Sequence, residues 1–278
     1  MKKIGFVDYY LSEFHANNYP EWMKKAAAEA GLEFELAYAW AELDTSPLDG
    51  VTTDEWCAKY GAEKCATLDE LCEKSDFIVV LAPKDPDKHL GYCETVFKYG
   101  KRTYVDKTFA PDLETAKKIF ALAEKYGTPF FSSSALRYST ELNEEEAEQI
   151  IVQGSGSNFP EYFIHLAEMV VKKLGTGFVS VKTEKMGTCR VVTAEYGDGR
   201  RAILNWAPGL PYTAFIIGKG GNLYRPIKSD FFYELIRDML NFFKTGELSF
   251  ANEETLEVIK LVELAVKGES TPGVILKA

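Results

Sequence analysis

Asp76-Phe-Ile-Val-Val-Leu-Ala-Pro83 and Arg102-Thr-Tyr-Val-Asp-Lys-Thr108 are the two stretches that decide the fold. Each contains a short apolar run rich in β-branched residues, which predicts a buried strand. Gly100 lies between them, and glycine is the residue expected just after the end of a helix, so a helix over residues 92–99 is predicted. A strand, a helix and a second strand in this order predict a parallel sheet.

The same alternation continues on both sides of these stretches. Asp112 is predicted to cap a helix that ends before Phe130-Phe131, and Thr67 with Glu70 resembles a capping box at the start of another helix. Further strands are predicted over 2–7 and 33–39, with a helix over 19–30 between them. The segment 40–61 carries turn signals, is predicted to be irregular, and has no assigned role. We therefore predict a Rossmann-like parallel-sheet domain over residues 1–137.

After Arg137 the pattern changes. An acidic helix is predicted over 141–153, and Asp198-Gly199 is a strong hairpin signal between two strand-like runs. The other predicted elements are helices over 161–173, 230–243 and 253–266 and strands over 179–185, 188–196, 201–206 and 212–217. Consecutive strands flanked by helices predict an α+β domain with a mainly antiparallel sheet over residues 138–278.

Composition excludes several classes of function. The 278 residues carry a net charge of −10 without a basic cluster, which argues against nucleic acid or an anionic membrane as a partner. No apolar run predicts a signal peptide or a membrane span. The five cysteines form no Cys-x-x-Cys pair, which favours a reduced cytoplasm and argues against a metal site.

Lys107 is the first candidate site residue. It lies just past the end of a predicted parallel strand, and ligands of such sheets bind outside the carboxyl ends of the strands. A partly desolvated amine has a lowered pKa, which suits acid–base chemistry near neutral pH. The alternative is an ordinary surface lysine at a strand end.

The order of short motifs along nearly the whole chain resembles the Gfo/Idh/MocA family of sugar and polyol oxidoreductases. Each motif is only one to six residues long, and the resemblance rests on their shared order. The motifs are Leu68-Asp-Glu-Leu71, Asp76-Phe-Ile-Val-Val80, Pro83 with His89, Tyr104-Val-Asp-Lys-Thr108, Arg137, Glu161 with His165, Gly246-Glu247 and Thr271-Pro-Gly-Val-Ile-Leu276.

The resemblance implies an NAD- or NADP-dependent oxidoreductase that acts on a sugar-like or other small polar substrate. It implies that Lys107 and His165 are catalytic, and that Arg137 and Glu161 contact the substrate together with them. The implied cofactor-binding residues are Asp8, Tyr10, Pro83, His89 and Lys107. It also implies a homo-oligomer that forms through the sheet of the second domain.

The chain departs from the family at the turn after the first strand. Members have a Gly-x-Gly-x-x-Gly turn there, which lets the backbone approach a pyrophosphate at a helix start. Here Asp8, Tyr10 and Glu13 stand at the three glycine positions, and Ala39-Trp40-Ala41 replaces the acidic residue that holds the ribose, with Glu42 slightly later. Two unit charges about 5 Å apart repel by about 3 kcal/mol at an effective dielectric of about 20, so a carboxylate in this turn would repel a pyrophosphate by about this amount.

This departure leaves two other functions open. One is a degenerate member without redox activity, which serves as a small-molecule binding or regulatory protein or as a partner subunit. The other is an enzyme that uses the same cleft without a diffusible dinucleotide. Structural roles are open as well: His165 as a buried hydrogen-bonded histidine, Glu161 as a charge at a helix start, and His89 as the start of a helix. Ser132-Ser-Ser134 lacks a Gly-x-Ser-x-Gly context and is predicted to be a polar strand end.

Overall fold

A computed structural model describes residues 1–143 and 146–278 of the chain. It divides into two compact units: Met1–Ser133 with Leu235–Ser249, and Ser134–Glu234 with Phe250–Ala278. The domain limits predicted from the sequence, 1–137 and 138–278, differ from these units mainly in the segment 235–249, and they stay a proposal.

The first unit contains a six-stranded sheet in the order β3-β2-β1-β4-β5-β6, and all its neighbouring strands run parallel. The strands are β1 Lys2–Asp8, β2 Phe34–Ala41, β3 Glu63–Lys64, β4 Phe77–Val80, β5 Thr103–Val105 and β6 Phe130–Phe131. The helices are α1 Phe14–Ala30, α2 Thr53–Tyr60, α3 Leu68–Lys74, α4 Asp87–Val96 and α5 Leu113–Tyr126, with a 3₁₀ turn at Phe97–Tyr99. The Rossmann-like prediction is confirmed. Because β1 leads to β2 on one side and β4 lies on the other, the topological switch point lies between β1 and β4.

Side-chain caps fix the helix starts in this unit. Asp112 caps α5 by accepting a hydrogen bond from Thr115 N at 2.7 Å. Thr67 caps α3, but the Glu70 carboxylate accepts from Ala66 N instead of Thr67 N, so only half of the predicted capping box forms. A complete capping box joins Thr52 and Glu55 and starts α2. The prediction that 40–61 is irregular was therefore wrong for residues 53–60.

The carboxyl-terminal end of a later helix completes the first unit. Arg102 donates from Nη1 to the carbonyl oxygens of Phe243 and Lys244, at 2.6 and 3.1 Å. These carbonyls belong to the last turn of α7 Phe231–Thr245, where a cation satisfies groups that have no helical partner. The ring of Phe243 stacks on that of Phe77 at 4.9 Å, and this packing explains why the segment 235–249 belongs to the first unit.

The second unit contains a seven-stranded sheet in the order β12-β11-β7-β10-β9-β8-β13. Only the β7–β10 pair is parallel, so the predicted mainly antiparallel sheet is confirmed. The strands are β7 Gln149–Gly154, β8 Phe178–Met186, β9 Cys189–Tyr196, β10 Arg201–Trp206, β11 Thr213–Gly218, β12 Gly221–Pro226 and β13 Ile275–Lys277. The complete helices of this unit are α6 Phe159–Leu174 and α8 Glu253–Gly268.

One prediction in this unit was wrong. The acidic helix over 141–153 is replaced by β7, in which Ile150, Val152 and Gly154 are buried and the residues between them are more exposed. This alternation has the period of a strand, and the acidic residues before it obscured the pattern. Glu144 and Glu145 lie outside the described residues. The strands β12 and β13 had no counterpart among the predictions.

Close packing of β1 on α3 gives a test of the fold. A Cβ atom at Gly5 would lie 2.7 Å from Leu71 Cδ2 and would also meet Ser75 Oγ, whereas a Cβ at the helical Gly91 would meet nothing within 4 Å. We expect Gly5→Ala to destabilise the protein by about 1–3 kcal/mol because of overpacking.

Gly91→Ala is the matched control, and we expect it to be neutral or stabilising by about 0.5–1 kcal/mol because alanine favours a helix. Urea unfolding of both variants measures the difference. Equal stability of the two variants would contradict the packing of α3 on β1.

Candidate functional site

Three consecutive residues after β4 hold three of the predicted site residues in place. The carbonyl oxygen of Leu81 lies 2.5 Å from Nε2 of His89. The amide of Ala82 donates to Asp8 Oδ1 at 3.0 Å. The amine of Lys107 donates to the carbonyl oxygen of Pro83 at 3.1 Å. The segment 81–83 therefore brings Asp8, His89 and Lys107 to one edge of the parallel sheet.

The backbone of this segment is strained at Ala82. Its φ of 72° lies in the left-handed region, which costs a residue with a Cβ atom about 1–2 kcal/mol. Such a conformation persists when surrounding contacts impose it. The hydrogen bonds of its neighbours and the bond from its own amide to Asp8 are those contacts.

Lys107 follows β5 and is almost withdrawn from solvent. Only 8% of the residue is exposed, and its side chain lies within hydrogen-bond distance of the Pro83 carbonyl. Its position beyond the carboxyl end of β5 is where parallel sheets bind ligands. Its assignment as a catalytic and cofactor-binding residue stays a prediction.

His89 is fully buried on α4, and both of its ring nitrogens face main-chain carbonyl oxygens. Nδ1 lies 3.0 Å from the carbonyl oxygen of Phe109, and Nε2 faces that of Leu81. Burial lowers the pKa of His89, and a neutral imidazole carries one N–H, so the ring donates to only one of the two carbonyls. These contacts tie the ends of β4 and β5 together, while cofactor binding by His89 stays a prediction.

The turn after β1 is filled by its own side chains. Asp8, Tyr10 and Glu13, the residues at the three glycine positions, are all buried. Glu13 is the N-cap of α1, and its carboxylate accepts hydrogen bonds from the amides of His15, at 2.8 Å, and Ala16. This cap was not predicted from the sequence, because the predicted helix began at residue 19 and glutamate is not among the preferred N-cap residues.

A second buried carboxylate lies next to this turn. Asp106, which precedes Lys107, pairs with Nδ1 of His15 and accepts from the hydroxyl of Tyr104 at 2.9 Å. The ring of His15 in turn stacks on Tyr19, with ring centroids 5.1 Å apart. This buried pair was not predicted from the sequence, in which the position of Asp106 immediately before Lys107 was the available signal.

The pKa values of the three carboxyl groups shift in different directions. Burial, reinforced by the charge of Glu13, raises the pKa of Asp8 well above its ordinary value. Burial also raises the pKa of Glu13, against the opposing effects of His15 and the backbone amides. Burial alone would raise the pKa of Asp106 as well, but its contacts with His15, Lys107 and Tyr104 lower it overall.

The segment after β2 packs over the same turn. Ser12 donates to Asp49 Oδ2 at 2.7 Å, and Ser46 Oγ donates to the Ser12 carbonyl at 3.0 Å. Glu42, the acid nearest to the expected ribose position, pairs with Lys88 at 2.5 Å and accepts from the Tyr92 hydroxyl at 2.8 Å. A ribose would have to compete with both of these contacts.

In the second unit, His165 on α6 is held by a hydroxyl and two aromatic rings. Its Nδ1 lies 2.5 Å from the hydroxyl oxygen of Ser134. The rings of Tyr162 and Tyr212 lie edge-on to the imidazole, with ring centroids 5.6 and 6.0 Å away. The Ser134 contact leaves Nε2 as the nitrogen that faces away from this hydrogen bond.

Two glycines make room for these tyrosines. A Cβ atom at Gly154 would meet the ring of Tyr212, and one at Gly156 would meet the ring of Tyr162. Tyr212 also donates from its hydroxyl to the carbonyl oxygen of Ser155 at 2.7 Å. The loop 154–156 thus fixes both rings that flank His165.

The remaining predicted substrate residues make structural contacts within the second unit. Arg137, in the 3₁₀ turn Ala135–Tyr138, is buried, pairs with Glu254 and Glu168, and lies over the ring of Phe250 at 4.0 Å. Glu161 exchanges hydrogen bonds with Asn158, the N-cap of α6. Substrate binding by Arg137 and Glu161 stays a prediction, and any such contact would compete with these partners.

Residues 1–143 and 146–278 contain neither a metal-binding cluster nor a membrane-spanning helix. Among them, no group of three or more His, Cys, Asp or Glu side chains has the arrangement of a metal site. In the same ranges no helix combines the length and the apolar character that crossing a membrane requires.

The chain resembles known proteins more strongly in its structure than in its sequence. No protein-family model matches the chain. The uncharacterized oxidoreductase YhhX of Escherichia coli is 36% identical over 66 residues, which are 23% of this chain and only 19% of that protein. The sequence match is therefore local, and it leaves the activity of the whole chain to be proposed.

Solved structures match along the full length. A probable dehydrogenase from Thermotoga maritima superposes with a TM-score of 0.81 at 14% identity, over 99% of this chain and 98% of that one. GenD2 from gentamicin A biosynthesis, in complex with NAD, superposes with a TM-score of 0.80 at 15% identity, over 100% of this chain and 97% of that one. A myo-inositol dehydrogenase from Corynebacterium glutamicum superposes with a TM-score of 0.76 at 13% identity, over 99% of this chain and 98% of that one. The fold is that of the Gfo/Idh/MocA-type dehydrogenases. The resemblance seen in the sequence is confirmed at this level.

The Gfo/Idh/MocA fold implies a dinucleotide whose pyrophosphate lies at the start of α1. The residues of this chain do not fit that group. The carboxylate of Glu13 already bonds the amides of His15 and Ala16, and the buried carboxylate of Asp8 lies in the same turn. A phosphate would meet two acidic side chains in place of open amides.

The buried carboxylate of Asp8 gives a pH-dependent prediction. Oδ1 accepts from the amides of Tyr9 and Ala82, whereas Oδ2 has no hydrogen-bond partner among the described residues. Because the pKa of Asp8 is raised in the folded state, the folded protein retains its proton to higher pH than the unfolded chain does. The contribution of Asp8 to stability is therefore greatest below the unfolded pKa of about 3.9 and falls as pH rises toward the folded value.

We expect the stability of the wild type relative to Asp8→Asn to increase as the pH is lowered from about 8 to about 5. Thermal unfolding of both proteins at several pH values measures this difference. A difference that does not change with pH would show that Asp8 is ionised throughout this range in the folded state.

Proposed function

We propose that this chain is an oxidoreductase that acts on a sugar-like or other small polar molecule. The observation that carries the proposal is the placement of Lys107, nearly buried at the carboxyl end of β5 in a chain whose whole length has the Gfo/Idh/MocA fold. The myo-inositol dehydrogenase and a UDP-N-acetylglucosamine 3-dehydrogenase among the structural neighbours support a polyol or sugar as the ligand class. Fold alone does not determine activity, so the residue roles need direct tests.

Lys107 is proposed to donate a hydrogen bond to the reacting oxygen of the ligand. An ammonium group held at a strand end, with its stem buried, polarises a hydroxyl or carbonyl oxygen and stabilises negative charge on it. His165 is proposed to take up or supply the proton of a hydroxyl, since imidazole titrates near neutral pH. The contact with Ser134 would fix the orientation of its ring. Arg137 and Glu161 are proposed to contact the substrate.

NAD or NADP is the cofactor implied by the fold and by NAD-bound GenD2. The turn after β1 does not fit a pyrophosphate, so the roles proposed for Lys107 and His165 are limited to hydrogen bonding and proton transfer. The proposal extends to a cytoplasmic protein that forms a homo-oligomer through the sheet of the second unit.

A second function is favoured by one observation. The carboxylate of Glu13 at the start of α1 is what a protein without a dinucleotide would tolerate. Under this alternative the chain binds a sugar-like molecule as a regulatory or partner protein and catalyses no redox reaction. The two functions share a ligand class and differ in turnover.

The role of Lys107 is tested by binding. We expect Lys107→Met to weaken the binding of its best ligand from a panel of myo-inositol and hexoses by at least about tenfold, because the charged donor is lost and the apolar stem is kept. Lys84→Met is the matched control, since Lys84 is an exposed lysine in the loop after β4, and its affinity should equal that of the wild type. Isothermal titration calorimetry gives both values. Equal affinities for the wild type and Lys107→Met would remove Lys107 from the site.

The role of His165 is tested by turnover. With the best ligand and a saturating concentration of NAD or NADP, we expect His165→Gln to lower kcat by about 100-fold, the effect typical of a lost acid–base group. If both residues serve one reaction step, the double variant with Lys107→Met should lose less than the product of the two single effects. No turnover by the wild type, despite ligand binding, would favour the cofactor-free alternative.

A further inference from the structure

The start of α1 carries an anion that belongs to the chain itself. Glu13 is 4% exposed, and both of its carboxylate oxygens accept hydrogen bonds from amides of the first helical turn. Exposed amides and the helix dipole make such a turn an anion-binding position in this class of fold. In this chain the amides of His15 and Ala16 are already satisfied.

We propose that Glu13 is an internal competitor of the dinucleotide pyrophosphate at the start of α1. Its carboxylate takes the amide hydrogen bonds that a phosphate would need, and its negative charge repels the incoming phosphate. A dinucleotide therefore binds the wild-type chain weakly, and it binds well only when the Glu13 side chain leaves the helix start.

The surrounding contacts hold Glu13 in this position. Ser12, the preceding residue, is bonded through its hydroxyl to Asp49 and through its carbonyl to Ser46, so the turn is fixed by the segment after β2. His15, two residues later, is anchored by Asp106. The chain on both sides of Glu13 is thus tied to other elements of the first unit, which opposes displacement of the side chain.

A second acidic side chain in the turn adds to the obstacle. Asp8 ends β1 in the same turn, and its Oδ1 already accepts the hydrogen bonds of the Tyr9 and Ala82 amides. A phosphate group would have to displace one of these carboxylates and remain near the other. A ligand part without phosphate would meet neither of these obstacles.

Two variants separate the effect of the Glu13 charge from the effect of the space that its side chain fills. Glu13→Ser shortens the side chain and keeps a good N-cap residue, which opens the helix start. Glu13→Gln keeps the size and the acceptor oxygen but removes the charge. Glu21→Gln is the control, because Glu21 is an exposed glutamate on the same helix and its loss changes the net charge equally.

Calorimetric titration with NAD and with adenosine is the decisive measurement. We expect Glu13→Ser to bind NAD at least about tenfold more tightly than the wild type, with a smaller gain for Glu13→Gln and none for Glu21→Gln. The affinity for adenosine, which has no phosphate, should be the same in all four proteins. Circular dichroism establishes that the variants are folded.

Two results would overturn the proposal. One is an NAD affinity that does not rise in either Glu13 variant. The other is an equal rise for NAD and adenosine in Glu13→Ser, which would show that added space and not release of the amides is responsible. Because the inference concerns only the turn after β1, its failure would leave the sugar-like ligand of Lys107 untouched, and failure of the Lys107 test would leave this inference untouched.

Discussion

The first unit is organised around the amides at the start of α1. A helix start presents N–H groups without helical partners, and in a parallel αβ sheet it points toward the switch point between β1 and β4. These amides need hydrogen-bond acceptors, which a ligand, water or a side chain of the protein can provide. Here Glu13 provides them, and a folded turn of buried side chains takes the place of an open glycine loop.

Because Glu13 caps α1 from inside the turn, the acidic side chains around it also need hydrogen-bond donors. Three buried carboxylates are tolerated because each has its own donors: Glu13 the amides of α1, Asp8 the amides of Tyr9 and Ala82, and Asp106 the imidazole of His15. Charges in a poorly hydrated interior are stable only with such partners. The strained backbone of Ala82 belongs to the same arrangement, because its amide is one of the donors.

The sequence predicted the sheet of the first unit because apolar β-branched runs, helix caps and terminal glycines report local preferences. Asp112 caps α5, and this helix ends before Phe130-Phe131, as predicted. The failures have physical causes. The strand at Gln149–Gly154 follows an acidic stretch that favours a helix, and the two-residue or three-residue strands β3 and β13 form only through pairing with distant strands. The position of Lys107 after a strand was enough to predict it as a site residue, whereas the caps and partners of Glu13 and Asp106 depend on contacts across the fold.

The chain shares its fold with a probable dehydrogenase at 14% identity, and its own turn after β1 is closed by the Glu13 cap. Backbone packing requires an apolar β1, a close approach to α3 at Gly5 and a satisfied helix start, and a carboxylate meets the last requirement as well as a phosphate does. The contacts of His165, with Ser134 and two tyrosines, do not involve the turn. Lys107 instead bonds to Pro83, in the same segment that holds Asp8 through the amide of Ala82. The surroundings of His165 can therefore stay unchanged whichever group satisfies the start of α1, whereas Lys107 is linked to the turn through the segment 81–83.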